Sequence, residues 1–469
     1  ILVNGRKVTG DITGNIDLNQ IDMTRVKRIE VLNGAASSLY GSDAIGGVIN
    51  IITNEPKDVV AFSSNSSYTR KNQFSQGLNL DIAQGKIGSY TSYKYDHSDG
   101  WQNSHLTEDV EDIIETIAPL SLGYSSNNFS QKFTYDATDQ LSFYANGGYY
   151  NRGLERPVER EDITGGSKYN TAYEGYNWGA GAKYKLSKRN VIQFDYSGNN
   201  YASRYKYLIE NSGYLPGQYA LTKLQKFHDA ELKGIFGFTT NSTTVFGVDY
   251  RCEVLRRPDS DLDKSVYTAS AYGQHEVKLW NHLTGVAGVR YDHHEQTGGR
   301  FTPKVAAMYN IGNFNVRATY AAGFRAPGID ELYYHMFKKT MGTRATISLG
   351  DENLDPERSN YYSINMEYRT NRFSASVTGY LNYVKNMVTS KSTKFDDLPE
   401  AEQNQLREEF PEIGDLSSTK NLSVKNYFNF EKATVKGFEV NLNGNLFPGF
   451  TLAGNYTYAY GRGLNEGGE

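Results

Sequence analysis

Val191-Ile-Gln-Phe-Asp-Tyr-Ser-Gly-Asn-Asn-Tyr201 decides the fold class. Ile192, Phe194 and Tyr196 alternate with Gln193, Asp195, Ser197 and Asn199. Successive side chains of a strand point to opposite faces, so this run is a strand with one apolar and one polar face. Residues 373–383 repeat the pattern, with Phe373, Ala375, Val377 and Leu381 against Ser374, Ser376, Thr378 and Asn382. So do residues 361–368 (Tyr362, Ile364, Met366 and Tyr368 against Ser363, Asn365 and Glu367) and 435–443 (Phe438, Val440 and Leu442 against Glu439, Asn441 and Asn443). In a soluble sandwich the apolar face would meet a dry core. In a membrane barrel it meets lipid, and the polar face lines the lumen.

Strand length and aromatic placement favour the barrel. The runs often reach ten residues, beyond the five or six usual for soluble strands. Tyr95, Tyr149, Tyr150, Tyr250, Tyr291 and the tyrosines of 456–460 stand at strand ends, where a membrane girdle places them. Tight turns at Thr240-Asn241-Ser242, Asn313 and Thr370-Asn371-Arg372 alternate with long polar stretches at 99–121, 154–173, 205–226, 326–359 and 388–432. Outer-membrane barrels keep short turns on the periplasmic side and long loops outside, so the long loops are the expected ligand side. Within the last stretch, 398–410 reads as a solvated loop helix starting near Pro399.

Composition agrees. The chain has 37 Tyr, 46 Gly and 22 Phe but only 11 Pro and one Cys, which suits many strands ending in tight turns. Mean hydropathy is -0.60. No apolar run approaches the ~18 residues of a transmembrane helix, so a membrane crossing requires a closed barrel. With one cysteine, Cys252, neither an internal disulfide nor a cysteine-rich zinc site is possible. The 49 basic and 53 acidic residues give no reason to expect nucleic-acid binding. Ile1 to Gly5 already reads as strand and turn, and Gly467-Gly468-Glu469 as a loop after a strand. Both ends are therefore expected to continue in a longer chain, and the lack of a signal peptide carries no weight.

The first sixty residues have a different logic. Residues 26–32 are strand-like, 35–40 can form one helical turn with Gly41 as its stop, and Gly46-Gly47 bends the chain into a mostly apolar strand at 48–53. A small mixed domain, residues 1–56, is expected to precede a barrel at 57–469.

Arg28-Ile-Glu-Val-Leu32 and Leu39-Tyr-Gly-Ser-Asp-Ala-Ile-Gly-Gly-Val-Ile-Asn-Ile-Ile-Thr53 resemble the carboxy-terminal half of the plug of TonB-dependent receptors. Gly288-Val-Arg-Tyr-Asp-His293, Phe301-Thr-Pro-Lys304, Gly323-Phe-Arg-Ala-Pro327 and Asn353-Leu-Asp-Pro-Glu-Arg-Ser359 resemble motifs that recur along the barrel of that family. The resemblance implies an all-β architecture: a large antiparallel transmembrane barrel of about 22 strands with an α+β plug inside. One strand per ~23 residues after Thr53 gives about 18, so the final strands are expected to lie outside this sequence.

The resemblance also implies TonB-dependent import across the bacterial outer membrane, with no bond chemistry and no resident cofactor. The implied partners are the inner-membrane TonB complex, the lipid bilayer and, in some members, a surface substrate-binding lipoprotein. Arg25, Lys27, Arg28 and Glu30 are the plug charges expected to latch onto the barrel lumen.

The expected ligand is a tetrapyrrole, cobalamin or haem; a siderophore is the alternative within the family. A passive porin or adhesin is the alternative outside it, and would need no plug. Phe324-Arg-Ala-Pro-Gly-Ile-Asp-Glu-Leu-Tyr-Tyr-His335, followed by Asn353-Leu354, resembles the pair of boxes that brackets an axial histidine in haem receptors, though Glu352 stands where proline is commoner. His335 is the implied iron ligand, with Met336 and Met341 as nearby soft donors and Tyr333 and Tyr334 as stacking rings.

His293 and His294 are adjacent on a strand and point to opposite faces, which argues against one shared metal. Carboxylates gather at Asp109, Glu111, Asp112 and Glu115, and at Asp259, Asp261 and Asp263. Calcium favours such groups, but neither spacing matches a calcium loop, and solvated charged loops are the simpler reading. No metal site and no nucleophile–base arrangement stands out.

Overall fold

The computed structural model describes residues 1–469 other than 9–15, 58, 71, 103–114, 117–118, 156–162, 165–167, 212, 340–344, 417 and 465–469. Its amino-terminal part is a four-stranded sheet of β1 (Leu2–Val3), β2 (Arg6–Lys7), β3 (Val26–Asn33) and β4 (Gly47–Thr53), in the order β2-β1-β4-β3. β4 pairs parallel with β1 and antiparallel with β3. Being central, it buries most of its side chains, which is why 48–53 reads as an almost continuous apolar run. The helical turn α1 (Ser37–Tyr40) lies between β3 and β4, and Gly41 stops it with φ +75°. A Cβ at Gly41 would come 3.0 Å from the Arg290 guanidinium, so the missing side chain also lets the plug approach the wall.

From Ala61 onward the chain is an antiparallel meander wrapped into a barrel around this sheet. Among the described residues the barrel sheet has nineteen strands, two of them short ones of the outer loops, His335–Lys339 and Ala345–Leu349. The strand of residues 191–201 extends over Asn190–Tyr207, with Phe194 at 48% exposure and Asp195 at 3%. The same inversion recurs around the wall. Val248, Val289, Val305, Ile364 and Val377 are exposed, while Asp292, Thr302 and Glu367 are buried. Apolar groups outside and polar groups inside is the arrangement lipid requires and water forbids. Among the described residues no helix is long and apolar enough to cross a membrane.

Strand order brings Phe450–Leu464 beside Ala61–Thr69 to complete the ring.

The short turns at 240–241, 312–313 and 370–372 fall at one rim. At the other rim, much of what the sequence suggests is loop is regular structure. Strands Phe373–Lys394 and Leu422–Phe447 stay paired up to Lys394 opposite Ser423, well beyond the bilayer-length core of the hairpin. Pairing survives there because the hairpin is covered. The expected solvated helix is α3 (Glu400–Glu409; the intervening α2 is Ile329–Tyr333), and it buries Leu406 against Phe395, Phe410 and Ile413. These pack on Ala345, Ile347, Leu422 and Val424, giving an outer lobe with its own dry core.

Candidate functional site

The plug meets the wall through charges. On Tyr219–Thr239 and Ser242–Arg257 the lumen-facing positions include Asp229, Glu231, Asp249, Arg251 and Glu253, alternating with the exposed Leu232, Val248 and Tyr250. β2 delivers Arg6 and Lys7 into this row. The Arg6 guanidinium lies 2.5 Å from Asp229, 3.3 Å from Asp195 and 3.6 Å from Glu231. Lys7 Nζ is 2.5 Å from Asp43 of the plug and 3.2 Å from Glu253 of the wall. Burial acts to lift the Asp43 carboxyl, but Lys7 outweighs it and holds Asp43 well below the usual carboxylate range. Burial likewise opposes the Lys7 charge, and Asp43 and Glu253 overcome it, raising the Lys7 pKa.

A second set of contacts pins residues 17–22. Asp17 accepts hydrogen bonds from Tyr150 (2.8 Å) and Tyr201 (3.2 Å), Asn128 donates to the Gln20 carbonyl (2.6 Å), and Ser92 donates to Asp22.

The four plug residues singled out from sequence are placed differently from one another. Arg25 is half-buried near Asp22 and the wall residue Tyr90, and desolvation lowers its pKa despite Asp22. Arg28 and Glu30 bond each other at 2.6 Å on the exposed face of β3 and reach no wall carboxylate among the described residues. Lys27, on the same strand, has no ion pair within 4 Å among the described residues. Sequence reading missed Arg6, Lys7 and Asp43. The available signal was the period-two spacing of charge at Asp229, Glu231 and Lys233, and at Asp249, Arg251 and Glu253, which marks a lumen needing cationic partners.

Directly outside this latch is a cavity of about 370 Å³, within the size range of ligand sites. Plug residues Lys7, Ser42 and Asp43 line it, together with strand ends on the long-loop side and residues 326–331 and Tyr334. Among the described residues its charged lining is balanced: Lys7, Lys223, Arg251 and Arg325 against Asp43, Glu253, Asp330 and Glu331. Arg325 is 2.8 Å from Glu331 and 2.6 Å from Glu357, which ties α2 to the wall. Glu331 also accepts the Gly328 N–H at 2.7 Å, yet burial still lifts its carboxyl above the ordinary range.

The expected ligand residues do not converge on this space. Tyr334 reaches it, with its hydroxyl accepting from Arg257 at 2.8 Å. Burial pushes that phenol upward against the opposing Arg257 charge. Tyr333 lies under Lys264 Nζ at 4.9 Å. His335 is exposed, stacked on Phe410 at 4.4 Å, with Nε2 3.2 Å from Glu409. Met336 is buried, and Met341 lies outside the described residues. The reason is local geometry: α2 ends at Tyr333 and a strand begins at His335, so successive side chains turn to different neighbours.

His294 lines the cavity while its neighbour His293 lies outward beside Tyr267. Asp259 pairs with Arg257, and Asp263 lies 3.7 Å from Arg256. Asp109, Glu111 and Asp112 are outside the described residues. No group of three or more metal-ligating side chains occurs among the described residues.

A family model described as "TonB dependent receptor-like, beta-barrel" matches residues 115–469, and one described as "TonB-dependent Receptor Plug Domain" matches residues 1–48. The vitamin B12 transporter BtuB of Vibrio cholerae is 24% identical over 408 residues, covering 84% of this chain and 60% of that protein. The ferric enterobactin receptor PirA of Pseudomonas aeruginosa is 25% identical over 534 residues, covering 98% of this chain and 67% of that protein. The chain thus spans about three fifths to two thirds of the length of these curated relatives. The crystal structure of the siderophore receptor PirA from Pseudomonas aeruginosa superposes with a TM-score of 0.73 at 19% identity, covering 98% of this chain and 77% of that one, a likeness of fold.

Proposed function

Because the chain belongs to the TonB-dependent receptor family, we propose that it serves energy-coupled import of a large scarce nutrient across the bacterial outer membrane, and that the nutrient is a tetrapyrrole of the cobalamin type. The ligand binds from the long-loop side, above the plug. The inner-membrane TonB complex then pulls the plug, and the ligand passes. For such a cycle the plug must be held by contacts that break and re-form in water. Ion pairs such as Arg6 with Asp195, Asp229 and Glu231 suit this, since water solvates each partner once they separate.

The charge-balanced cavity carries the choice of ligand. A ferric tris-catecholate is strongly anionic and calls for a surplus of cations. A corrinoid is neutral overall and edged with amides, which suits four cations interleaved with four carboxylates. Haem would call for an axial ligand, and His335 is engaged by Phe410 and Glu409 on the outer lobe. A siderophore is the second reading, favoured by the 98% of this chain that aligns with the ferric enterobactin receptor.

The test is titration of the full-length receptor with cyanocobalamin, haemin and a ferric catecholate, each with and without His335→Ala. Tight cyanocobalamin binding indifferent to the mutation supports the proposal. A shifted Soret band lost in the mutant would replace it with haem uptake, and selective catecholate binding with siderophore uptake.

A further inference from the structure

The plug meets its wall in two different ways. Along strands Gln73–Gln84 and Ile87–Ser98 the main chains come close. A Cβ on Gly77 would lie 2.8 Å from the Thr24 methyl, and one on Gly88 would lie 2.7 Å from Pro56. Hydrogen bonds fill the same contact. Asn79 donates to the Thr24 hydroxyl at 3.3 Å, the Lys57 N–H to Asp81 at 3.1 Å, and Asn54 to the Tyr90 hydroxyl at 3.2 Å. The covalent chain passes here too, since β4 ends at Thr53 and the wall begins at Ala61. α1 is seated as closely elsewhere, where Ser37 and Ser42 accept the N–H groups of Phe324 and Ala326.

β2 meets its wall through side chains. Arg6 and Lys7 span to strands Asn190–Tyr207, Tyr219–Thr239 and Ser242–Arg257, and Asn199 donates to the Lys7 carbonyl at 3.1 Å. Water takes over each partner of an ion pair as it parts. Interlocked main chains part only when the packing around Gly77 and Gly88 opens.

The cavity borders this looser contact, with Lys7, Arg251 and Glu253 in its lining. Farther along the same strands toward the short-turn rim come Asp229 and then Glu231. Glu231 stands in direct register with Asp195 on one neighbour and with Asp249 on the other. Like charges in register are destabilising, so cations must sit on this row. The wall supplies Arg290, 2.8 Å from Asp249, and Lys233, 3.1 Å from Glu231. For Asp195 the ion pair among the described residues is with Arg6 of the plug. The wall thus borrows a plug cation at the place to which the cavity leads.

We infer that cargo leaves the cavity on this side. When the plug yields, the passage opens between β2 and these three strands, with Arg6 as its gate and Asp195, Asp229 and Glu231 along its wall. The plug stays seated on strands Gln73–Gln84 and Ile87–Ser98. The inference rests on the import cycle proposed above and is independent of which nutrient is carried.

The test is conductance of the full-length receptor in planar bilayers as urea is raised, with Cys252→Ser removing the native thiol of this chain. R6C/D229C joined by a short bis-methanethiosulfonate should stay shut at a urea concentration that opens the same protein after reduction. T24C/N79C joined in the same way should conduct as its reduced form does. In a salt gradient the reversal potential of the open channel should move toward anion permeation in D195N/E231Q, and stay unchanged in E439Q, where the wall meets Asn33 of β3. Folding is checked by the heat-dependent gel shift, and K7C/E253C replaces R6C/D229C if that pair fails to assemble. No nutrient is present, so a wrong choice of cargo leaves these results unchanged. Closure by the T24C/N79C link, conduction through the linked R6C/D229C protein, or a reversal potential indifferent to Asp195 and Glu231 would overturn the passage. So would a receptor that stays shut until the barrel itself unfolds.

Discussion

In the outer lobe Ile347, Phe395 and Val424 are wholly withdrawn from solvent against one another, while a short distance inward Arg6 and Lys7 reach the wall through a lining of carboxylates. Both regions fasten a separate piece of chain to one barrel. The lobe does so with apolar packing, which is lost in one step when opened because every buried atom then meets water. The plug does so with ion pairs and hydrogen bonds, each of which water replaces at modest cost as it separates. The proposed import cycle, in which the stopper moves while the ligand site is kept, needs this division.

Phe395→Ala should have the largest effect. Removing a fully buried ring from the lobe should cost about 3–5 kcal/mol. Residues 345–349, 395–413 and 422–424 should become protease-sensitive, while barrel melting by heat-dependent gel shift barely changes. Arg6→Met should act on the other side. It leaves Asp195 without its cation, and Asp229 and Glu231 with only Arg251 and Lys233, at a cost of about 2–4 kcal/mol after allowing for the partial exposure of Arg6. Hydrogen exchange should rise across β1, β2 and β4 and stay unchanged in the lobe. Gly34→Ala should be milder, about 1–3 kcal/mol. Its φ is +83°, and a Cβ there would lie 2.2 Å from the Tyr361 ring, so β3 must shift away from the wall. The same exchange experiment on β3 reads it.

How much of this the sequence discloses differs between the regions for a physical reason. Alternation exposes the wall because each strand meets two different solvents, and Ile192 and Asp195 reveal their faces without any neighbour being known. The plug strand 48–53 is visible because burial on both sides leaves an apolar run. The lobe is hidden. Leu406 and Phe410 sit among Glu and Gln, and their partners Ile347 and Val424 are far along the chain, so nothing local distinguishes α3 from a solvated helix. The latch is half visible. The wall carboxylates repeat at period two, but Arg6 in a two-residue strand has no pattern to announce it, and the motif-bearing Arg28 and Glu30 draw attention to a face where they pair with each other.

Acid offers a finer test of the same contrast. The Asp43 carboxyl is depressed by Lys7, so its contribution is present above the ordinary aspartate pKa of ~3.9 and is lost as pH falls below it. Plug protection factors, with the intrinsic pH dependence of exchange divided out, should therefore be flat from pH 7 to about pH 4 and fall below, and Asp43→Asn should flatten that fall. The smallest effect is expected from His335→Ala, which removes a stack on Phe410 and an exposed contact with Glu409; lobe stability should fall by less than about 1 kcal/mol in the proteolysis assay.

Hydrogen exchange of the full-length receptor across a urea series tests the division most directly, by following β1–β4 and the lobe residues 345–349 and 400–413 in one sample. The plug amides should open at a urea concentration where the lobe amides remain protected. Lobe amides opening first, or both sets opening together, would contradict the assignment of a releasable polar latch below a fixed apolar lobe.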